Sequence, residues 1–287
     1  MPAQPTRQVF SPDLLAGRTA LITGGGSGLG LAMARRFLEL GARVAIAGRS
    51  AQRLEAAARE LDAGDALLTH TADVRDFAQV EALVNATVER FGDLDILVNN
   101  AAGNFLAATE ELSPNGFHAV VATVLHGSFH ATLAAGRHMI RRGGGSILNI
   151  LTTYAWTGSA FVVPSAAAKA GVLAMTRSLA VEWAAYDIRV NAIAPGPFPT
   201  EGAWSRLMPS PELEAEARER IPAGRFGDPA ELANLAAFLV SDAAPYITGE
   251  CVTIDGGGWL ASGGTFSHLT RHDRAETKEV FRKIRGR

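Results

Sequence analysis

The chain has 287 residues, which would allow two domains by size, although α/β folds often use that length for one. Hydrophobic residues make up 47% of it and charged residues 20%, so a sizeable core and a solvated surface are expected. The formal net charge of −2 argues against a general attraction to nucleic acid or to anionic membranes. The one cysteine, Cys251, excludes a disulfide within the chain and permits a reducing compartment.

The beginning of the chain and its apolar runs bear on location. No apolar run reaches the length of a membrane-spanning helix. Residues 1–18 lack the apolar core of a signal peptide and are interrupted by proline. We therefore expect a cytoplasmic enzyme with no membrane span.

Short apolar runs alternate with longer helical patterns along the chain, which is typical of a parallel sheet covered by helices on both faces. Seven strands are predicted, at 19–23, 43–48, 66–71, 95–100, 146–151, 189–195 and 251–255. Helices are predicted near 28–40, 50–62, 76–91, 114–142, 164–185 and 229–240. Two of them have clear starts, because Ser113 and Asp228 each precede a proline at the first helical position.

The segment 196–222 breaks this alternation with PGPFPTEG and a polar helical pattern. An insertion after a strand's carboxyl end is where a substrate loop or lid is expected. We expect a lead at 1–17, one domain at 18–257 that carries this lid, and a weakly patterned tail at 258–287 with a short helix near 275–284.

A glycine-rich loop, TGGGSGLG, follows the first strand directly and opens a helix. Glycines let the backbone turn tightly and approach a pyrophosphate, whose charge the N-terminus of the helix stabilises. The predicted cofactor contacts in this loop are Thr23, Gly24, Ser27, Gly28, Leu29 and Gly30.

The end of the second strand indicates which nicotinamide cofactor binds. An NAD-binding protein usually has an acidic residue there, and this chain has Arg49 and Ser50 instead. A guanidinium suits the 2′-phosphate of NADPH. Alternatively, Arg49 is a solvated residue at the start of a helix.

The G-x-x-x-G-x-G spacing resembles that of the short-chain dehydrogenases/reductases, and further motifs between about residues 18 and 256 match that family. The resemblance implies an α/β Rossmann-type fold, a doubly wound seven-stranded parallel sheet in a single domain. It also implies cofactor contacts near the adenine and the nicotinamide. These are Asp73 and Val74 of TADV, Asn99 and Ala101 of NNAAG, and Pro195 with Gly196 after the sixth strand.

The catalytic stretch departs from the usual family pattern. Most members have Tyr-x-x-x-Lys with an upstream serine, whereas this chain has Ser165, Lys169 and, at the upstream position, Thr152. A serine hydroxyl is shorter and far less acidic than a phenol, so Ser165 cannot inherit the tyrosine's role. Lys169 can still bind the nicotinamide ribose. Tyr154, after the fifth strand, is a candidate replacement acid.

The run from Thr152 to Pro197 resembles mitochondrial-type 2,4-dienoyl-CoA reductases, and so do 99–105, 201–207 and 223–244. The match includes the serine in place of tyrosine. It implies that Tyr154 and Asn104 hydrogen-bond the thioester carbonyl of an acyl-CoA, while Ser165 orders that network. Hydride from NADPH would add to C5, and protonation at the α-carbon would give a 3-enoyl-CoA. The resemblance also implies a homotetramer, and neither it nor the residues call for a metal.

Two alternatives stay open at this point. The first alternative to a dienoyl-CoA reductase is a reductase of another carbonyl or enoyl substrate, such as a 3-oxoacyl thioester. The second is a non-catalytic relative that binds NADP.

Several residues near the substrate have two interpretations each. His126 stands where the family usually has the asparagine of the proton relay, and it either replaces that asparagine or is a structural histidine of the helix. Arg206 either binds CoA phosphate or is a solvated arginine of the lid. Phe105, Phe198 and Trp204 either line an acyl groove or pack the lid.

Overall fold

The predicted apolar runs form one parallel sheet in the computed structural model, which describes residues 10–200, 210–263, 273, 275–276 and 279–280. The strand order is β3-β2-β1-β4-β5-β6-β7, and every neighbouring pair is parallel. The strands are β1 Thr19–Thr23, β2 Arg43–Gly48, β3 Leu67–Thr71, β4 Ile96–Asn99, β5 Gly145–Ile150, β6 Ile188–Pro195 and β7 Cys251–Ile254. The predicted doubly wound α/β fold is confirmed.

Helices connect the strands and cover both faces of the sheet. They are α1 Gly28–Glu39, α2 Ala51–Leu61, α3 Phe77–Phe91, α4 Pro114–Val121, α5 Gly127–Arg142, α6 Tyr154–Thr157, α7 Val163–Glu182, α8 Pro211–Glu219, α9 Pro229–Val240 and α10 Gly258–Gly263. Three-residue 3₁₀ turns lie at Gly64–Ala66, Thr109–Glu111 and Ala184–Tyr186. Both predicted helix starts are present: Ser113 accepts a hydrogen bond from the Gly116 amide, and Asp228 forms a reciprocal capping box with Glu231.

The central strands are buried on both faces, which explains why they read as continuous apolar runs. Successive residues of β1 point to opposite faces, so Ile22 packs into one core cluster and Leu21 into the other. On the first side Phe37 of α1 is fully buried, and on the second side Met139 of α5 is fully buried.

The order of the strands reverses between β1 and β4, because β1 pairs with β2 on one side and with β4 on the other. Ligands of open α/β sheets bind in the crevice at the carboxyl ends of the strands, at such a reversal. The loops that follow β1, β4, β5 and β6 carry most of the predicted site residues, so the topology brings them to one edge of the sheet.

One long helix runs from Pro114 to Arg142, and its middle part, Ala122–His126, has π-helical hydrogen bonding. This helix is long and apolar enough to cross a membrane by length and composition alone. However, 56% of its most apolar stretch is buried inside the fold, as in a helix that packs against a protein core.

The predicted lid and tail are only partly described. Within 196–222 the structure describes 196–200 and 210–222, where the polar pattern forms α8. Helix α10, which follows β7 closely, was not predicted from the sequence. Most of the helix expected near 275–284 lies outside the described residues. At the other end, the fully buried Leu15 donates its amide to the Leu40 carbonyl, so part of the predicted lead packs onto the domain.

Candidate active site

The glycine-rich loop after β1 makes a tight turn whose backbone angles favour glycine at two positions. Gly24 and Gly28 have positive φ values of 66° and 55°. At Gly30, an added Cβ atom would lie 2.3 Å from the carbonyl oxygen of Gly24, so no larger residue fits. Ser27 is exposed and has extended backbone angles before α1, while the side chain of Leu29 packs partly against the first core cluster.

Asn100, which the sequence analysis did not assign, holds this loop against β4. Its Nδ2 donates to the carbonyl oxygens of Thr23 and Gly24, at 3.1 Å and 3.0 Å. In return, the hydroxyl of Thr23 accepts from the amides of Asn100 and Ala101, both at 3.1 Å. The motif NNAAG thus fixes the shape of the phosphate loop, and its second asparagine was the signal for this role.

Thr200 is a second residue that the sequence analysis missed. Its side-chain atoms lie 3.3–3.5 Å from the position that a Cβ atom of Gly28 would occupy. The loop after β6 therefore closes over the glycine-rich loop. At the start of this loop, Pro195 is the last residue of β6, and the amide of Gly196 donates to the Ile254 carbonyl at 2.9 Å.

The end of β2 carries a cation at the surface of the protein. Arg49 is exposed, and the hydroxyl of Ser50 accepts from the Arg53 amide at the start of α2. Near them, Asp73 is paired with Arg75 through several short contacts, including one of 2.5 Å. These hydrogen bonds hold the pKa of the Asp73 carboxyl below its usual range.

Two other predicted cofactor contacts, Val74 and Asn99, are buried residues that neighbouring elements hold in place. Val74 is buried, its carbonyl accepts from His130 at 2.9 Å, and Gly127 of α5 packs directly against it. Asn99 is buried at the end of β4 and donates to Thr132 and Asn149, both at 2.9 Å. The Nδ2 of Asn99 thus joins β4 to β5 and α5, while its Oδ1 is buried without a hydrogen-bond partner among the described residues.

Lys169 lies one turn after Ser165 on the same face of α7. It is only 6% exposed, and its Nζ donates to the Ile150 carbonyl at the end of β5. Burial lowers the pKa of this amine from 10.5 to about 8, because the charged form is poorly solvated there.

Tyr154, Asn104 and Ser165 meet in one hydrogen-bonded group. The Nδ2 of Asn104 lies 3.3 Å from the Tyr154 hydroxyl, which in turn lies 3.0 Å from the Ser165 hydroxyl. The Oδ1 of Asn104 accepts from the Phe105 amide at 2.9 Å, so the amide nitrogen faces Tyr154. Thr152 contacts the Tyr154 amide at 3.4 Å and thus shapes the turn that begins α6.

This group has hydrogens left over for a ligand. A phenolic oxygen can accept two hydrogen bonds, and when both Asn104 and Ser165 donate to it, its own hydrogen is available to a ligand. The Asn104 amide likewise keeps one hydrogen after it donates to Tyr154. Chemically, the arrangement can offer two fixed donors to one oxyanion.

The loops on either side of this group expose apolar side chains. The Ala107 amide donates to the Phe161 carbonyl at 3.0 Å, which joins the loop after β4 to the loop after α6. Phe105, Leu106, Phe161 and Val163 of these loops are 39–60% exposed. Phe161 also has a positive φ of 64°, which bulky residues rarely adopt.

His126 points to another part of the molecule. It lines a cavity of about 480 Å³ together with Asp73, Arg75 and Gln79 from the segment after β3. Its ring also meets the ring of His118 at a centroid distance of 6.4 Å. Two residues earlier, Val124 is buried in the cluster that contains Leu151 and Ala168 of the catalytic stretch. Of the two interpretations, the position of His126 favours a residue outside the relay.

The remaining predicted substrate residues divide into two groups. Phe198 is buried, and its ring packs directly against Gly227, so it belongs to the core rather than to an acyl groove. Arg206 and Trp204 lie outside the described residues.

Comparisons with known proteins show the family to which the chain is similar. A family model described as enoyl-(acyl carrier protein) reductase matches residues 24–258. A Bacillus subtilis (strain 168) protein, named as a probable 2,4-dienoyl-CoA reductase that produces (2E)-enoyl-CoA, is 48% identical over 85% of this chain and 97% of its own. An Arabidopsis thaliana protein, named peroxisomal 2,4-dienoyl-CoA reductase and (3E)-enoyl-CoA-producing, is 43% identical over 88% of each chain.

Among solved structures, a gluconate 5-dehydrogenase from Burkholderia cenocepacia J2315 in complex with NADP and tartrate is 36% identical, with a TM-score of 0.81. The alignment covers 87% of this chain and 98% of that one. Because the names of the relatives include both a bacterial and a peroxisomal protein, the cytoplasmic location stays a prediction. By sequence and by fold, the chain belongs to the short-chain dehydrogenase/reductase family.

Proposed function

We propose that the protein reduces 2,4-dienoyl-CoA to 3-enoyl-CoA with NADPH, in the β-oxidation of unsaturated fatty acids. The observation that carries the proposal is the hydrogen-bonded group of Tyr154, Asn104 and Ser165 beside the buried Lys169. The names of the relatives support the same reaction type.

The residues around the carboxyl ends of the strands fit a dinucleotide. Gly24, Gly28 and Gly30 form a turn with no room for side chains, at the N-terminus of α1, which suits a pyrophosphate. Arg49 is exposed where a 2′-phosphate would lie, and a guanidinium binds phosphate in a bidentate manner. A relative of the same fold carries NADP. Bound in this cradle, the reduced nicotinamide supplies the hydride that adds to C5 of the substrate.

The protein's own contribution is to stabilise the charge that hydride addition creates. That charge accumulates on the thioester oxygen as a dienolate. The hydroxyl of Tyr154 and the free amide hydrogen of Asn104 donate to this oxygen, and Ser165 keeps the phenol oriented by donating to it. Removing one donor of such a pair typically slows a reaction roughly 10²–10³-fold.

Lys169 holds the ribose of the nicotinamide. Its ammonium group is buried beside the carboxyl end of β5, where it donates a hydrogen bond to the Ile150 carbonyl. From there it would donate to the hydroxyls of the ribose. The same role requires the protonated amine, because a neutral amine is a weaker donor and carries no charge.

The acyl chain of the substrate lies on the apolar loops that flank Tyr154. Phe105, Leu106, Phe161 and Val163 expose hydrophobic surface there, which an acyl chain would cover. We propose Arg206 of the predicted lid for the phosphates of CoA, because a guanidinium suits phosphate geometry.

The position of the product double bond depends on where the dienolate is protonated. Protonation at the α-carbon gives a 3-enoyl-CoA, and protonation at the γ-carbon gives a 2-enoyl-CoA. The names of the relatives include producers of each. We propose α-protonation, because Tyr154 and Asn104 hold the charge at the thioester end of the conjugated system, next to the α-carbon.

A reductase of simple enoyl thioesters is the second candidate, favoured by the description of the matching family model. Purified protein should be mixed with 2,4-hexadienoyl-CoA and, in parallel, with 2-hexenoyl-CoA and 3-oxohexanoyl-CoA, each with NADPH and with NADH. We expect rapid oxidation of NADPH with the dienoyl substrate and little with the others. If no dienoyl-CoA of any chain length is turned over, the proposal is wrong.

A further inference from the structure

A pair of tryptophans joins the helix that carries Tyr154 to the segment after β7. The rings of Trp156 and Trp259 meet edge to face, with a centroid distance of 5.6 Å and an interplanar angle of 83°. Edge-to-face contacts of this geometry stabilise aromatic pairs beyond the area that they bury. The two tryptophans are about a hundred positions apart in the sequence, so their contact connects α6 to the segment after β7.

The helix α6 needs such support, because it has only four residues. A single helical turn is not stable by itself, and its orientation must come from tertiary contacts. The side chain that α6 buries is the methyl group of Ala155, which is 8% exposed in the third core cluster. One small buried group leaves rotation about that point poorly restrained.

Trp156 restrains that rotation. Residues two apart on a helix point in different directions, so the ring of Trp156 leaves α6 away from the ring of Tyr154. A contact on one side therefore sets the direction of the phenol on the other.

Trp259 is itself firmly held at the start of α10. The carboxylate of Asp255 accepts from the amide of Gly257 at 2.9 Å and from the amide of Trp259 at 2.7 Å. The backbone of Asp255 in turn packs against Gly196, where an added Cβ atom would lie 2.6 Å from the Cβ of Asp255. The support for α6 thus begins at the loop that we expect to flank the nicotinamide.

We propose that Trp259, through Trp156, is a positioning residue that aims the Tyr154 hydroxyl at the substrate. The proposal rests on the function proposed above, since Tyr154 is the donor that it positions. Neither tryptophan is assigned contact with the reacting atoms.

The kinetic test uses Trp259→Ala, Trp259→Phe and, as a matched control, Leu260→Ala, which removes a more exposed side chain from the same helix. We expect Trp259→Ala to lower kcat on the order of tenfold with KM for dienoyl-CoA nearly unchanged, because a misdirected phenol donates less well to the charge that develops in the transition state. Trp259→Phe should restore most of the rate, because phenylalanine can make the same edge-to-face contact, and Leu260→Ala should behave as wild type.

A double-mutant cycle then asks whether the effect passes through the phenol. In a Tyr154→Phe background, Trp259→Ala should cause less than about a twofold further loss, because the group that it positions is already gone. An equal loss in both backgrounds would overturn the proposal. So would a rise in KM that grows with acyl length while kcat stays constant, since the tryptophans would then contact substrate.

Hydrogen exchange in the protein without cofactor tests the support of α6 by Trp259 independently of the proposed reaction. The amide of Gly158 donates to the Tyr154 carbonyl at 3.1 Å and reports on the integrity of α6. Trp259→Ala should speed its exchange by about tenfold and leave the amides of β1 unchanged. If that exchange rate does not change, the support is absent even in an active enzyme. If wild type reduces no dienoyl-CoA but Gly158 responds, the reaction is wrong and the support is real.

Discussion

Replacing Lys169 with methionine should make the protein more stable and unable to bind NADPH. Burial lowers the pKa of the amine from 10.5 to about 8, and a tenfold change in the acid dissociation constant corresponds to about 1.4 kcal/mol. Below pH 8 the folded protein therefore holds a buried cation at a cost of about 3 kcal/mol. Methionine removes that cost and also the hydrogen bond to the Ile150 carbonyl, worth about 1 kcal/mol. The net gain at pH 7 is about 2 kcal/mol.

The gain should depend on pH in a defined direction. Between pH 8 and pH 10.5 the unfolded lysine keeps its proton while the folded one loses it, so the stability of the wild type rises with pH in that window. The advantage of Lys169→Met should accordingly shrink by about 2 kcal/mol between pH 7 and pH 9.5. Arg177→Met, an exposed position on the same helix, provides the control and should show no such change.

Urea unfolding at pH 7 and pH 9.5, followed by circular dichroism, measures both quantities. NADPH titration monitored by fluorescence checks the loss of binding in the same samples. A Lys169→Met variant that is less stable than wild type at pH 7, or equally more stable at both pH values, would refute the reasoning about the buried charge.

Three further predictions concern the donors and the cofactor. Tyr154→Phe should lower kcat for dienoyl-CoA roughly 10²–10³-fold with KM within a few fold, in steady-state assays; an unchanged kcat would exclude the phenol as a donor. Arg49→Asp should reverse the preference for NADPH over NADH by roughly 10²-fold in kcat/KM, since a charge-assisted contact is lost and a carboxylate faces the 2′-phosphate; an unaltered ratio would mean that Arg49 is only a solvated residue. Asn100→Ala should weaken NADPH binding about tenfold by freeing the carbonyls of Thr23 and Gly24, and calorimetry that finds wild-type affinity would contradict this role.

The strands of the sheet could be predicted from the sequence, because a strand that is buried on both faces consists of consecutive apolar residues. Each of the seven strands lies within one residue of its predicted bounds, from Thr19–Thr23 to Cys251–Ile254. The glycine-rich loop was equally readable, since Gly24 and Gly28 need conformations that other residues avoid.

Side-chain direction was less predictable. His126 is the last residue of a π-helical segment, and the extra residue in such a turn shifts which face of the helix its neighbours present. No helical periodicity in the sequence reveals that shift, so the choice between relay and structural residue needed coordinates. Phe198 sits in a loop whose sequence gives no periodic pattern, and its burial against Gly227 is likewise a tertiary fact.

Contacts between residues far apart in the chain could not be predicted from the sequence, for a simpler reason. The pairing of Trp156 with Trp259 depends on where β5 and β7 end in space, and α10 is too short to show a helical pattern. The group of Tyr154, Asn104 and Ser165 was proposed from resemblance. The structure places the Tyr154 hydroxyl 3.3 Å from the Asn104 amide nitrogen and 3.0 Å from the Ser165 hydroxyl, and the chemical roles of the three residues stay predictions.

The central claim is that the enzyme reduces a conjugated carbon–carbon double bond rather than a carbonyl group. Deuterium transfer is the direct test: the protein is incubated with 2,4-hexadienoyl-CoA and NADPH in which both hydrogens at C4 of the nicotinamide are deuterium, and the product is examined by NMR. We predict deuterium at C5 of a 3-hexenoyl-CoA and an intact thioester. Deuterium on a carbon that bears a hydroxyl group, or a product without deuterium, would contradict the claim.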